Sequence, residues 1–353
     1  MATDQQPPLP HAGTPARSRK LQTLYFIIGI VITVMLGLVA RRFWPQPKLP
    51  EGWLRLTPPN DVMALVEVRG QVWSGGRDGL VALDPDQGTL IGPLPREDEG
   101  PAIRYVADMV TSSDGAVWVA HLDGVSRYDG ERWRIFTEAD GVPGGRALAL
   151  LSSRDGTLWV GTEQGLARYV GGGWERVDTP QNDPAVSYLF EDSRGRIWAG
   201  AGFVYEGGVS VYENGAWHAL DVDAHLPHPM LNTMLEDDEG QLWFGTGFSA
   251  YGGLAIYDGT NWRTLTTDDG LAGAKVRYLF QDAAGIIWVG SEYNGILRMD
   301  PDGRQILTPE EGLAGWEVKA MLQDSRGDLW LGTEVGLTRL NHEAWLRLGE
   351  LGP

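Results

Sequence analysis

The sequence predicts an all-β protein, a seven-bladed β-propeller preceded by a single transmembrane α-helix. Three observations carry this reading. The motif Gly-x-(Val/Leu/Ile)-Trp occurs seven times, ending at Trp73, Trp118, Trp159, Trp198, Trp243, Trp288 and Trp330. Successive tryptophans lie 45, 41, 39, 45, 45 and 42 residues apart, the spacing of one four-stranded sheet per repeat. Residues 21–40 form an uncharged run of 20 residues, which as a helix spans about 30 Å, the thickness of a bilayer core.

Residues 1–20 contain Pro, Gln and Ser, end in Arg-Ser-Arg-Lys and are predicted to be a disordered tail, having too little apolar surface to pack. The span at 21–40 is longer than a signal-peptide core and no Ala-x-Ala site follows it. Arg41, Arg42, Phe43 and Trp44 form an interfacial belt instead. Bases nearly balance across the span, with Arg17, Arg19 and Lys20 before it and Arg41, Arg42 and Lys48 after it. The short tail and large following domain place the N-terminus in the cytoplasm and the propeller outside, in a single-pass cell-membrane protein. Residues 41–50, with Pro45, Pro47 and Pro50, read as a stiff linker. The propeller is expected over 51–348, with 349–353 as a C-terminal tail.

Composition narrows the function. The six bases and one acid of residues 1–50 leave 23 bases against 46 acids in the rest, and so acidic a body repels phosphate backbones, which excludes nucleic acid. Cysteine is absent, so there are no disulfides, thiol chemistry or zinc-thiolate sites.

Within one repeat, Lys275-Val-Arg-Tyr278 runs to Gln281 as a first strand. Asp282-Ala-Ala-Gly285 turns, with Asp capping the turn backbone and Gly in the left-handed position. Second and third strands follow at 286–290 and 295–299, and a fourth at 304–307. Asp192-Ser-Arg-Gly195, Asp237-Asp-Glu-Gly240 and Asp324-Ser-Arg-Gly327 repeat the first turn, while Ser112 and Ser153 replace its Asp in blades 2 and 3. Tyr128-Asp-Gly-Glu-Arg-Trp133 and Tyr257-Asp-Gly-Thr-Asn-Trp262 repeat the last turn, with a Trp on the outer strand; blades 1 and 6 lack that Trp. Two segments compete for the closing strand, Gly52-Trp-Leu-Arg-Leu56 and Ala344-Trp-Leu-Arg-Leu348.

The composite pattern D-x-x-G-x-(ILV)-W-(VLF)-G-T…G-(LV)-x-x-(YF)-D…W…T-x-x-D-G-L, fullest at 324–333 and 266–271, resembles the two-component regulator propeller repeat over roughly residues 60–345. The resemblance implies an extracytoplasmic sensing module in signal transduction. Many such proteins continue into an immunoglobulin-like domain and a histidine kinase. Here the sequence ends at Pro353, so a membrane or signalling partner protein is expected to carry the output.

Loop lengths point to the binding face. From Trp to the third-strand Gly is six residues in blades 1, 2, 3 and 7, ten in blades 4 and 5, and seven in blade 6. The added residues bring Phe203, Tyr205, Phe248, Tyr251 and Tyr293, and Trp316 lies in the connection into blade 7. Beside them the innermost strands begin with Lys275, Arg277, Glu317 and Lys319, and further round with Arg146 and Asn232. Flat aromatics with hydrogen-bonding side chains suit a carbohydrate or another amphipathic small ligand. The plainer alternative is that Phe203 and Phe248 plug the channel and the cations pair with Asp and Glu across it.

No phosphate loop, G-x-S-x-G or H-E-x-x-H is present. The pair His225 and His228 near Asp221 and Asp223 is too sparse for a metal site, and no cofactor or catalytic residue is assigned. An enzyme similar to streptogramin lyases needs a His/Glu pair at the channel mouth, where Lys and Arg stand; a sialidase needs true Asp boxes, which Asp114-Gly-Ala-Val-Trp118 only partly imitates. Blade 1 resembles a quinoprotein blade at Gly79-Leu-Val-Ala-Leu-Asp84, alone among the seven. The reading is a membrane-anchored, extracytoplasmic, non-enzymatic ligand-binding propeller; the alternatives are an interaction scaffold and a lyase-like enzyme.

Overall fold

The computed structural model of the chain describes residues 48–348, except 58, 96–99, 101, 181–183, 202–206 and 301–302. The expected tail at 1–20 and transmembrane helix at 21–40 lie outside the described residues, as do 41–47 and 349–353. Among the described residues no helix is long and apolar enough to cross a membrane.

Seven four-stranded antiparallel sheets follow one another. Their first strands are Val62–Val68, Asp108–Thr111, Ala147–Ser152, Val186–Glu191, Leu231–Glu236, Val276–Gln281 and Val318–Gln323. Each first strand packs on that of the next blade, and the seventh packs on the first, so the ring is closed and these strands line its axis. The repeat read from the sequence is reproduced in blade 6, with strands at Val276–Gln281, Ile287–Ser291, Ile296–Asp300 and Gly303–Leu307.

The ring closes with the N-terminal segment. Trp53–Leu56 pairs antiparallel with Leu337–Leu340 as the outer strand of blade 7, with Trp53 opposite Leu340 and Leu56 opposite Leu337. Arg55 ties this strand back to the connection from blade 6, donating from Nε to the Gly312 carbonyl at 2.8 Å and from Nη2 to that of Pro309 at 2.6 Å. The competing segment at 344–348 is not a strand but most of a short helix, His342–Arg347. Asn341 caps it, its side chain accepting the Ala344 N–H at 2.9 Å, and Glu, Ala, Leu and Arg then favour the helix. Trp345 is buried beside Trp53 and donates its indole N–H to the Gly327 carbonyl at 2.6 Å. The helix therefore backs the closing strand of blade 7.

The seven motif tryptophans are all buried between blades, each removing on the order of 200 Å² from water, roughly 5 kcal/mol of gross transfer free energy. A small residue two positions on lets the next blade approach. A Cβ on Gly161 would stand 2.4 Å from the Val186 carbonyl oxygen, and one on Gly332 2.5 Å from Val62 Cγ1. Polar groups then fix the turns. Asp282 Oδ1 accepts the N–H of Ala284 and Ile286, both at 3.0 Å, while Oδ2 accepts the Trp288 indole N–H at 2.8 Å. Asp192, Asp237 and Asp324 hold Trp198, Trp243 and Trp330 in the same way, at 2.9, 2.7 and 3.0 Å. The residue after that Asp, or after Ser153 in blade 3, is braced to the next blade. The N–H of Arg154, Asp238, Ala283 and Ser325 bonds Glu191, Gln281, Gln323 and Glu67 at 2.7–3.0 Å, and Ser193 bonds Glu236 likewise. The brace from Ser325 to Glu67 crosses the seam between blades 7 and 1.

Candidate functional site

The strands alternate in direction, so the tight first turns share one end of the ring and the variable loops share the other. At the variable end, six of the seven first strands carry a β-bulge at their start. The pairing register shifts between Val62 and Ala64, Ala147 and Ala149, Val186 and Tyr188, Leu231 and Thr233, Val276 and Tyr278, and Val318 and Ala320. A bulge re-aims the extra side chain. The six extra residues, Met63, Leu148, Ser187, Asn232, Arg277 and Lys319, all line one cavity of about 420 Å³ at the channel mouth. Asp61, Arg77, Tyr105, Asp108 and Arg146 complete its rim and walls, with Tyr188 and Tyr278 below.

Charges at this mouth are paired. Arg277 Nε lies 3.0 Å from Glu317 Oε1, bent out of hydrogen-bonding geometry. Lys319 bridges Glu317 at 2.9 Å and Asp61 at 2.6 Å. Arg77 reaches Asp61 at 3.4 Å and Arg146 reaches Glu163 at 2.8 Å. Asn232 donates to the carbonyls of Gly247 and Val276 at 2.9 and 3.0 Å. The plainer sequence alternative, cations paired with carboxylates, thus holds for Arg146, Arg277 and Lys319. Asp108 is different: burial pushes its carboxyl up to about 6, against the N–H of Leu150 and Met109 that it accepts. Burial also raises the Tyr188 and Tyr278 hydroxyls. Two mouth residues, Asp61 (φ 54°) and Tyr105 (φ 52°), occupy the left-handed region without being glycine. Such strain in non-glycine residues concentrates at functional sites.

The aromatics do not form the single wall expected beside this mouth. Phe203 and Tyr205 lie outside the described residues. Phe248 is half-buried, with Lys275 Nζ 5.7 Å from its ring centre. Tyr251 is 75% exposed and belongs to neither cavity. Tyr293 and Trp316 instead face a separate cleft of about 350 Å³ between blades 6 and 7, whose remaining walls are Glu292, Glu317 and Glu334. The split follows from the bulges, which bring strand residues to the axis, whereas the longer loops stand outside it. His225 stacks on Trp262 with ring centres 4.7 Å apart, and His228 Nδ1 accepts the Met230 N–H at 3.0 Å, so both have structural partners.

Sequence reasoning found Arg146, Asn232, Arg277 and Lys319 but missed Asp61, Met63, Arg77, Tyr105, Asp108, Leu148 and Ser187. A signal was available. The bulged residue lies eleven positions before the motif Trp in blades 3 to 7, and ten before it in blade 1, where the first turn is shorter.

The two-component regulator propeller model matches residues 225–248 and 315–335. No curated protein sequence matches the chain. Among solved structures, the extracellular domain of the putative hybrid two component system BT3049 from B. thetaiotaomicron superposes with a TM-score of 0.69 at 17% identity, over 83% of this chain and 42% of that one. This chain therefore spans less than half the length of that relative. The catalytically inactive virginiamycin B lyase from Staphylococcus aureus, with Quinupristin, gives 0.64 at 14% identity over 82% and 98% of the two chains. YCF48 bound to D1 peptide gives 0.60 at 16% over 83% and 96%. These likenesses show the fold: the chain is a seven-bladed propeller, two segments of which match the two-component regulator propeller model.

Proposed function

We propose that this chain is a non-enzymatic sensing propeller, similar in role to the extracellular domain of a hybrid two-component system, that takes a small ligand at its channel mouth. The observation that carries the reading is the ring of bulges. Strand pairing recurs from blade to blade, while the six bulged positions hold Met, Leu, Ser, Asn, Arg and Lys. A repeated frame with an unrepeated mouth is the arrangement of a recognition surface. Because the mouth presents donors and acceptors as ion pairs, with Tyr105 at its edge, it favours a neutral polyhydroxylated ligand such as a carbohydrate over a strongly charged one. The span at 21–40 anchors the propeller outside the cell membrane, with the N-terminus inside, and the signal leaves through a partner protein.

A thermal-shift screen of the full-length protein against saccharides and charged metabolites tests the site. A ligand at about 100 times its Kd adds about 2.7 kcal/mol. The reading requires a hit that is lost in Arg277→Ala; hits indifferent to Arg277→Ala and Lys319→Ala place the ligand elsewhere. Topology is testable because the chain has no cysteine. A Cys introduced at exposed Glu131 reacts with a membrane-impermeant maleimide in intact cells only if the propeller is outside.

A protein-interaction scaffold is the second reading, favoured by the likeness to YCF48, which is itself found bound to a peptide. A lyase activity has less support: among the described residues no histidine lines the channel mouth, and the two-component repeats belong to regulatory propellers.

A further inference from the structure

The cleft between blades 6 and 7 carries an inference separate from the channel mouth, with which it shares no wall residue. Two equivalent positions, one just before the first strand and one just after the second, hold a charged pair in four blades. Blade 1 has Asp61 and Arg77 at 3.4 Å, blade 3 has Arg146 and Glu163 at 2.8 Å, and blade 6 has Lys275 and Glu292 at 2.8 Å. In blade 7 both positions are acids, Glu317 and Glu334. Glu317 is taken by Arg277 and Lys319. Glu334 accepts only backbone N–H groups, those of Trp316 at 3.0 Å and Glu317 at 2.9 Å, and has no ion pair among the described residues. The third acid, Glu292, gives one oxygen to Lys275 and keeps the other, Oε2, buried without a hydrogen-bond partner.

One of the two positions supplies a cation in each of three blades, and neither does in the fourth, so its carboxylate is left to an outside group. Flanking it stand Tyr293, 68% exposed, and Trp316, 43% exposed. Two accessible aromatic rings beside an unneutralised carboxylate are the chemistry that holds an organic cation, the rings taking its apolar face and positive charge together. The geometry points to a site for a small organic ammonium ion in this cleft. A volume of about 350 Å³ admits a head group of a few heavy atoms.

The test uses the full-length protein and two probes of equal shape, choline and its neutral isostere 3,3-dimethylbutan-1-ol, followed by titration calorimetry. Choline is expected to bind at least about tenfold more tightly than the isostere, the ratio that one cation–aromatic contact supplies. Tyr293→Ala, on an exposed loop, and Trp316→Ala should each weaken choline by a similar factor. Glu334→Gln should weaken choline and leave the isostere unchanged. Equal binding of the two probes overturns the proposal. So does unchanged choline affinity in Tyr293→Ala, or no binding of choline in the millimolar range. A channel-mouth ligand that fails to bind has no bearing on these results, and the reverse also holds.

Discussion

In blades 4 to 7 the indole N–H of the buried motif Trp ends on an aspartate that also holds the turn. In blades 1 to 3 it does not. Trp118 donates to Ser112 Oγ at 3.0 Å, and Ser112 passes the bond to Asp114 at 2.5 Å. In blade 3 Ser153 binds Asp155 at 2.8 Å and the Thr157 carbonyl at 2.7 Å, leaving the Trp159 indole N–H without a partner. Trp73 has only Gln71, at 3.4 Å. In blades 2 and 3 the carboxylate has moved two residues along the turn, and a hydroxyl stands in its former place. The braces divide in a similar way. They join blades 3 to 7 and close on blade 1, whereas blade 3 is joined to blade 2 by the Leu150 N–H on Asp108 at 2.8 Å. Blade 1 meets blade 2 through aromatics, with Trp73 stacked 5.9 Å from Trp133, and through Arg69, whose Nη1 donates to the Gly130 carbonyl at 3.0 Å. Equal folds thus rest on unequal polar support, and the better supported half, blades 4 to 7, carries only Arg277 and Lys319 of the six charged residues that line the mouth.

This contrast can be broken by measurement. Asp282→Ala removes the acceptor of two turn N–H groups and of the fully buried Trp288. It should cost about 3 kcal/mol in denaturant unfolding; a loss below about 1 kcal/mol would erase the distinction between the halves. Next comes pH. Asp108 has a folded value of about 6, above that of an unfolded carboxylate. The stability it contributes is present below roughly pH 4 and lost as pH rises through 6. The lowered carboxylates Asp114, Asp324 and Glu163 act with opposite sign, in more acid solution. Between roughly pH 4 and 7, Asp108→Asn should therefore flatten the fall in stability by about 2 kcal/mol; an unchanged slope removes Asp108 as its source. Ser112→Ala strands the Trp118 indole and should cost about 2 kcal/mol in thermal unfolding. Ser153→Ala should cost only about 1 kcal/mol, because Trp159 has no bond to lose. Equal losses for the two serines would mean that the indole bond contributes nothing.

The blade count and strand order were legible because seven Trp-centred repeats leave few alternatives. Closure was not legible locally. Trp53-Leu54-Arg55-Leu56 and Trp345-Leu346-Arg347-Leu348 are the same four residue types, yet the first forms a strand and the second the end of a helix. Asn341 decides the second case, and pairing with residues near 340 decides the first. At the mouth, Arg277 and Lys319 were visible as charges in an inner strand. Met63, Leu148 and Ser187 were not, because a bulge changes where a side chain points without marking its type. Tyr105 was missed because nothing in its sequence neighbourhood announces a left-handed backbone.

The N-terminal clasp also has a consequence for synthesis. Trp53 pairs with Leu340, 287 positions later. At usual ribosomal rates that interval lasts on the order of tens of seconds. Throughout it the closing strand has left the ribosome while its acceptor does not yet exist, and blade 7 has no edge to offer. Six blades can assemble in order as they emerge, but the ring cannot shut until blade 7 has been made. The nascent protein is therefore an open arc with a loose adhesive end for most of its birth. A permuted chain that begins at blade 1 and carries residues 51–57 after residue 341 would turn that long wait into a local hairpin.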